Sequence, residues 1–133
     1  MRTADMLETF PGEVSVDQEL LARTIDTLVA CSQTCTACAD ACLSEDSVEE
    51  LRSCITTDLN CADICSTAAR VLSRNTAFNA DIVKALLQAC IESCRICEDE
   101  CQQHADHHEH CRICAESCRE CVQVCNEFLV AIS

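Results

Sequence analysis

Apolar residues recur along most of this chain at alternating intervals of three and four, the spacing that predicts amphipathic helices. The pattern divides into four long segments, which cover about residues 16–43, 48–73, 80–103 and 107–132. Only short polar joints separate these segments, and short joints favour antiparallel neighbours. The sequence therefore predicts an all-α protein, an antiparallel up-down-up-down four-helix bundle.

Helix-start signals precede the four segments and support this division. Capping boxes stand at residues 15–18, 47–50 and 106–109, and Asn79 or Thr76 can cap the third helix. Residues 1–14 are predicted to form an N-terminal arm. Residues 15–133 are predicted to form the bundle, which consists of two helical hairpins at about 15–73 and 79–132.

Cysteine accounts for sixteen of the 133 residues and continues the apolar stripe of each helix. Successive cysteines are four, three and four residues apart in the first and third helices, and three, four, three and four apart in the fourth. These are the a and d positions of a heptad, so the sequence predicts a cysteine-lined core. The residues concerned are Cys31, Cys35, Cys38, Cys42, Cys54, Cys61, Cys65, Cys90, Cys94, Cys97, Cys101, Cys111, Cys114, Cys118, Cys121 and Cys125.

The two halves of the chain repeat this pattern, since the cysteines of the first hairpin return 59 or 60 residues later in the second. Two positions in the second helix break the match: Leu51 and Asp58 stand where the fourth helix has Cys111 and Cys118. Asp58 therefore occupies a core-facing position among thiols. A carboxylate is a poor ligand for a soft metal, so Asp58 is expected to form a local hydrogen bond or to pair with an arginine.

A disulfide framework does not fit the cysteine spacing, although this cysteine content is typical of small secreted proteins. Cysteines three or four apart on a helix have Cβ atoms roughly 5–6 Å apart, whereas a disulfide needs roughly 3.5–4.5 Å. The first residues show no apolar run typical of a signal peptide, and no segment approaches the ~18 apolar residues that span a bilayer. We therefore expect a cytoplasmic protein with reduced thiols and no membrane partner.

Metal ligation explains a thiol core better than packing does, because thiols fill a core less well than leucine and are prone to oxidation. A metal held linearly between two thiolates needs sulfurs roughly 4.5 Å apart, which helical neighbours can supply. Thiolate ligands select Cu(I), zinc or iron–sulfur clusters. The pattern thus predicts metal sites inside the bundle.

Charge separates Cu(I) from the other metals. One Cu(I) per thiolate is neutral, whereas zinc held by four thiolates leaves about two negative charges at each buried site. The continuous stripe also does not divide into discrete groups of four ligands. The favoured function is therefore non-catalytic storage or buffering of multiple Cu(I) ions. The alternatives are a zinc or general heavy-metal thiolate buffer and a redox protein with an iron–sulfur cluster.

The two ends of the predicted bundle differ in character. One end is apolar and carries Leu20, Leu21, Ile25, Leu28, Val71, Leu72, Ile82, Val83, Leu86, Leu87, Phe128, Leu129 and Ile132. The opposite end carries Cys42, Cys101, Cys111, His104, His107, His108 and His110. Metal is expected to be acquired or passed on at the histidine end. His104 is the favoured ligand because it follows Cys101 by three residues, and the acidic joint at residues 45–47 is expected to be a solvated loop.

Other function classes receive little support from the residues. The formal charge of −14 opposes binding to nucleic acid, which requires a basic surface. An acidic surface is compatible with attracting cations, but it is also a common means of keeping a protein soluble. The chain has no Ser/His/Asp set, phosphate loop or paired carboxylates in a recognisable site, so it is not expected to be an enzyme.

The chain resembles the cytosolic copper storage proteins of bacteria. The resemblance lies in the CxxxCxxCxxxC motifs at residues 31–42 and 90–101, the cysteine ladder at 111–125 and the histidine-rich joint, and it covers nearly the whole chain. It implies a four-helix bundle, usually a homotetramer, whose cysteines bind multiple Cu(I) ions loaded through a histidine-bearing end. The secreted branch of that family carries an export signal, which is not found in this sequence.

Overall fold

Five α-helices and one short 3-10 helix form the computed structural model, which describes all 133 residues. The α-helices are α1 (Thr3–Glu8), α2 (Gln18–Leu43), α3 (Arg52–Leu72), α4 (Ala80–Gln102) and α5 (Glu109–Ile132), and the 3-10 helix (Val48–Leu51) precedes α3. Helices α2 and α4 each pack against both α3 and α5. This ring of four long helices confirms the predicted all-α bundle. No helix combines the length and apolar character that crossing a membrane requires.

The helix starts agree only partly with the predicted caps. Asp17, rather than Ser15, caps α2, and its side chain accepts a hydrogen bond from the backbone N–H two residues on. Asn79 caps α4 as predicted and accepts from the backbone N–H three residues on. The capping boxes expected before α3 and α5 are wrong. Ser47 precedes the 3-10 helix and its side chain caps nothing, and α5 begins after His108, which forms no side-chain cap, rather than after Asp106. Short turns with their own backbone hydrogen bonds lead into both helices instead.

Two kinds of side chain fill the core along the bundle axis. The apolar end is closed by Leu21, Leu72, Leu87 and Phe128, each at most 1% exposed. Thiols fill most of the rest of the axis, and all sixteen are at most 2% exposed, which confirms the cysteine-lined core. One assignment to the apolar end is wrong: Ile82 lies on the outer surface and is 59% exposed.

Truncation of Phe128 is expected to measure the contribution of the closed end to stability. F128A should lower the free energy of unfolding of the reduced, metal-free chain by about 3–5 kcal/mol, because it leaves a cavity where the ring is fully buried. Urea denaturation followed by circular dichroism measures the change, with V130A, at an exposed position of the same helix, as the control. The metal-free native chain should be helical before urea is added, and a random-coil spectrum would contradict the assignment of the apolar end as a core.

Candidate metal centre

The sulfur atoms of facing helices lie close enough to share metal ions. The Sγ atoms of Cys61 and Cys94 are 3.4 Å apart, as are those of Cys65 and Cys90. Within α3, the Sγ atoms of Cys61 and Cys65 are 3.8 Å apart. With a metal–sulfur bond of about 2.3 Å, two or three thiolates around one ion place their sulfurs about 4.0–4.6 Å apart. To hold an ion, the sulfur atoms of such a pair therefore need to move apart by about one ångström or less.

None of these sulfur pairs is a disulfide. All sixteen cysteines are free, and the closest sulfur pairs are well beyond the S–S bond length of about 2.05 Å. The core therefore presents sixteen thiols that can lose a proton to bind metal.

The thiols form overlapping groups rather than separate four-ligand sites. In several sets of four cysteines, the four sulfur atoms all lie within 4.8 Å of one another. Four of these sets are Cys31–Cys65–Cys94–Cys121, Cys31–Cys35–Cys61–Cys118, Cys35–Cys97–Cys114–Cys118 and Cys38–Cys42–Cys54–Cys111. Cys31, Cys35 and Cys118 each belong to two of the first three sets, which therefore overlap. The fourth set shares no member with them, but its Cys38 and Cys54 also group with Cys101, whose Sγ is 3.9 Å from that of Cys97 in the third set. Shared sulfurs suit bridged Cu(I) clusters better than closed tetrahedral zinc sites.

Asp58 is a fully buried carboxyl group within this thiol core. Its Oδ1 accepts hydrogen bonds from the thiols of Cys97, Cys114 and Cys101 at 3.0, 3.2 and 3.4 Å. The expected local contact is present but long, since the thiol of Cys54 lies 3.9 Å from Oδ2. The alternative of an arginine partner is wrong, because the arginines of α5 bind surface glutamates instead. Burial, together with the neighbouring thiols, raises the pKa of Asp58 to about 11.

Burial also keeps thiols near the histidine end protonated in the metal-free chain. It raises the pKa of the Cys42 thiol to about 12, and the neighbouring Cys54 adds to the effect. A metal ion must displace the proton of each thiol that it binds. Cu(I) binding to the core is therefore expected to release protons.

His110 is the histidine that contacts the thiols. Its Nδ1 lies 3.3 Å from the Sγ of Cys38 and 3.6 Å from the Sγ of Cys111. On the other side of the ring, its Nε2 lies 2.9 Å from Oε2 of Glu45. The same Glu45 oxygen is 2.6 Å from Nδ1 of His108, whose ring stacks on that of His110. Hydrogen bonds with His110 and His108 lower the pKa of Glu45.

The other two histidines, His104 and His107, form no hydrogen bond with a thiol. His104, expected to be the favoured ligand, has its Nε2 3.6 Å from a carboxylate oxygen of Glu100, and His107 is exposed. The first turn of α5 carries His110 over the thiols instead.

Glu45 is the residue at this end that sequence reasoning missed. It was expected in a solvated loop, and that expectation is wrong, since its side chain is only 32% exposed and contacts two histidines. Its adjacent residue Asp46 is exposed. One signal in the sequence could have found the contact: the first and third joints of an antiparallel bundle lie at the same end. An acidic joint and a histidine-rich joint are therefore neighbours.

A helical bundle with a continuous thiol core, apolar residues at one end and histidine at the other, belongs to the class of proteins that hold soft metal ions in a helical core. A family model described as copper storage protein matches residues 17–130, and the chain accordingly belongs to the copper storage protein family. No curated protein matches the chain.

Solved structures of a copper storage protein from Streptomyces lividans, Ccsp, are similar over most of the chain. Ccsp loaded with 10 copper equivalents is 52% identical, with a TM-score of 0.95, and the match covers 97% of this chain and 98% of that one. A structure on copper loading to the cytosolic protein, with five coppers, is 54% identical, with a TM-score of 0.83 and coverage of 84% and 93%. A Ccsp variant with one histidine replaced by alanine is 52% identical, with a TM-score of 0.87 and coverage of 89% and 98%.

Proposed function

We propose that this chain stores multiple Cu(I) ions on the thiolates of its core and that the ions pass through the histidine end. The observation that carries the proposal is the continuous series of closely spaced thiols, in which three neighbouring sets of four sulfurs share members. Equivalent buried sites in such number favour capacity over chemistry. Membership of the copper storage protein family supports the choice of copper.

The proposed ligands are the sixteen core cysteines, with the four histidines acting at the histidine end. Among the histidines, His110 has the strongest support, because its Nδ1 lies beside two thiols. His104, His107 and His108 are proposed to assist in acquiring or passing on copper. The proposed division separates an N-terminal arm of residues 1–14 from the four-helix bundle of residues 15–133.

Location and assembly are further parts of the proposal. A cytoplasmic location is supported by the likeness to the cytosolic protein of Streptomyces lividans. A homotetramer is proposed from the resemblance to the family. Storage without catalysis fits a core in which every thiol is covered.

Anaerobic titration with Cu(I) in competition with a strong Cu(I) chelator tests the proposal. The reduced chain should withdraw on the order of one Cu(I) per thiolate, or about sixteen ions, because that ratio leaves the buried core neutral. A parallel titration with Zn(II) is the comparison. Saturation near four ions with both metals would contradict Cu(I) storage and would indicate closed four-thiolate sites.

A further inference from the structure

Glu45 connects two joints that are distant in sequence at the histidine end. It follows α2, and it is 65 residues away from His110 along the chain. Its Oε2 lies 2.9 Å from Nε2 of His110 and 2.6 Å from Nδ1 of His108. One carboxylate oxygen therefore holds both rings that stack at the start of α5.

This contact determines which nitrogen of His110 carries the hydrogen. It therefore determines whether the nitrogen that faces the thiols can bind metal. An ionised carboxylate only accepts hydrogen bonds, so Nε2 of His110 must carry the hydrogen that it donates to Glu45. In the neutral ring the other nitrogen, Nδ1, then has a free lone pair. Nδ1 is the atom that lies 3.3 Å from the Sγ of Cys38 and 3.6 Å from the Sγ of Cys111.

Glu45 also contributes to closing this end of the bundle. Cys38 and Cys111 are at most 2% exposed, and the ring of His110 lies beside both of them. The position of that ring depends on a residue from the opposite hairpin, since Glu45 belongs to the first hairpin and His110 to the second. By holding the ring of His110, Glu45 therefore affects the route by which an ion reaches Cys38 and Cys111.

We propose that Glu45 is a positioning residue for copper uptake: it orients His110 so that Nδ1 receives Cu(I) and passes it to Cys38 and Cys111. The proposal rests on the proposed storage function. It assigns no metal contact to Glu45 itself. Carboxylates that orient metal-binding histidines act in the same way, and their loss typically costs about 10–100-fold in metal affinity or activity.

The test compares E45A and E45Q with D46N, a matched control that removes a charge at the next residue, which is exposed. Stopped-flow measurement of anaerobic Cu(I) uptake should show the first equivalents binding about tenfold more slowly to E45A than to D46N. E45Q should bind them at an intermediate rate, because glutamine keeps an acceptor oxygen but not the charge. Total capacity should stay unchanged in all three variants, since every thiol is retained.

A second readout separates positioning from a merely structural role. Nitrogen-15 NMR of the imidazoles should show the Nε2–H form of His110 in the native chain and in D46N, and a mixture of forms in E45A. Equal uptake rates in E45A and D46N would overturn the proposal, and so would slow uptake with the His110 form unchanged. If E45A does not fold, E45Q, which preserves the side-chain shape, is judged by the same two criteria. A native chain that takes up no Cu(I) would instead overturn the storage function.

Discussion

Replacement of one set of four core cysteines with serine should lower the copper capacity of the chain by about four ions, to about twelve, if each thiolate accounts for one Cu(I). The variant is C31S/C65S/C94S/C121S, which removes the four sulfurs of a single set within 4.8 Å. Serine keeps the size of the side chain but offers only a hard oxygen, which is a poor ligand for Cu(I). Anaerobic titration against a strong Cu(I) chelator measures the capacity.

A matched variant distinguishes lost ligands from a disturbed core. A39S/A62S/A68S/A115S introduces four hydroxyl groups at buried alanine positions and leaves all sixteen cysteines in place, so it should keep the full capacity. Equal capacities for the two variants would contradict the assignment of the core thiols as the copper ligands. A loss far greater than four ions in the cysteine variant, with helicity preserved, would show that neighbouring sites depend on the shared sulfurs.

The stability of the metal-free chain should fall as the pH rises, and Asp58 should account for a separable part of that change. The pKa of Asp58 rises from its ordinary 3.8 to about 11 in the folded chain. Between these values the folded state holds a proton that the unfolded state releases. The contribution of that proton is therefore fully present below the ordinary pKa and is lost as the pH rises towards the folded pKa. The expected slope is about 1.4 kcal/mol per pH unit at most.

Comparison with D58N isolates this contribution, because asparagine has nearly the same shape and does not titrate. The free energy of unfolding of the native chain, measured by urea denaturation under reducing conditions, should fall relative to that of D58N between about pH 5 and pH 9. D63N, at an exposed position of the same helix, should follow the native chain. Parallel curves for the native chain and D58N would show that the carboxyl is already ionised in the core.

The interior of this protein could be predicted from its sequence because helical periodicity determines which face each residue occupies. Sixteen cysteines at heptad core positions can be accommodated together only in a bundle core, and the structure buries all of them. The apolar end followed from the same reasoning. It failed at Ile82, next to the buried Val83, because adjacent helical residues point in directions about 100° apart and only one of them can face the axis.

Contacts between elements were much harder to predict, because they depend on the relative register of the helices. Asp58 was placed correctly in the core, but its partners belong mainly to α4 and α5, and nothing in its own helix identifies them. The contact between Glu45 and His110 joins two loops 65 residues apart. The position of His110 over the thiols depends on where α5 begins, and the expected capping box placed that start two residues too early.

The closed apolar end has a consequence for how fast different parts of the core exchange copper. Leu21, Leu72, Leu87 and Phe128 seal one end of the axis, so ions are expected to enter and leave at the histidine end. An ion held near Cys65, Cys90 or Cys125 then has the longest path to a chelator or a protein acceptor. We expect copper at these thiols to exchange more slowly than copper at Cys38 and Cys111.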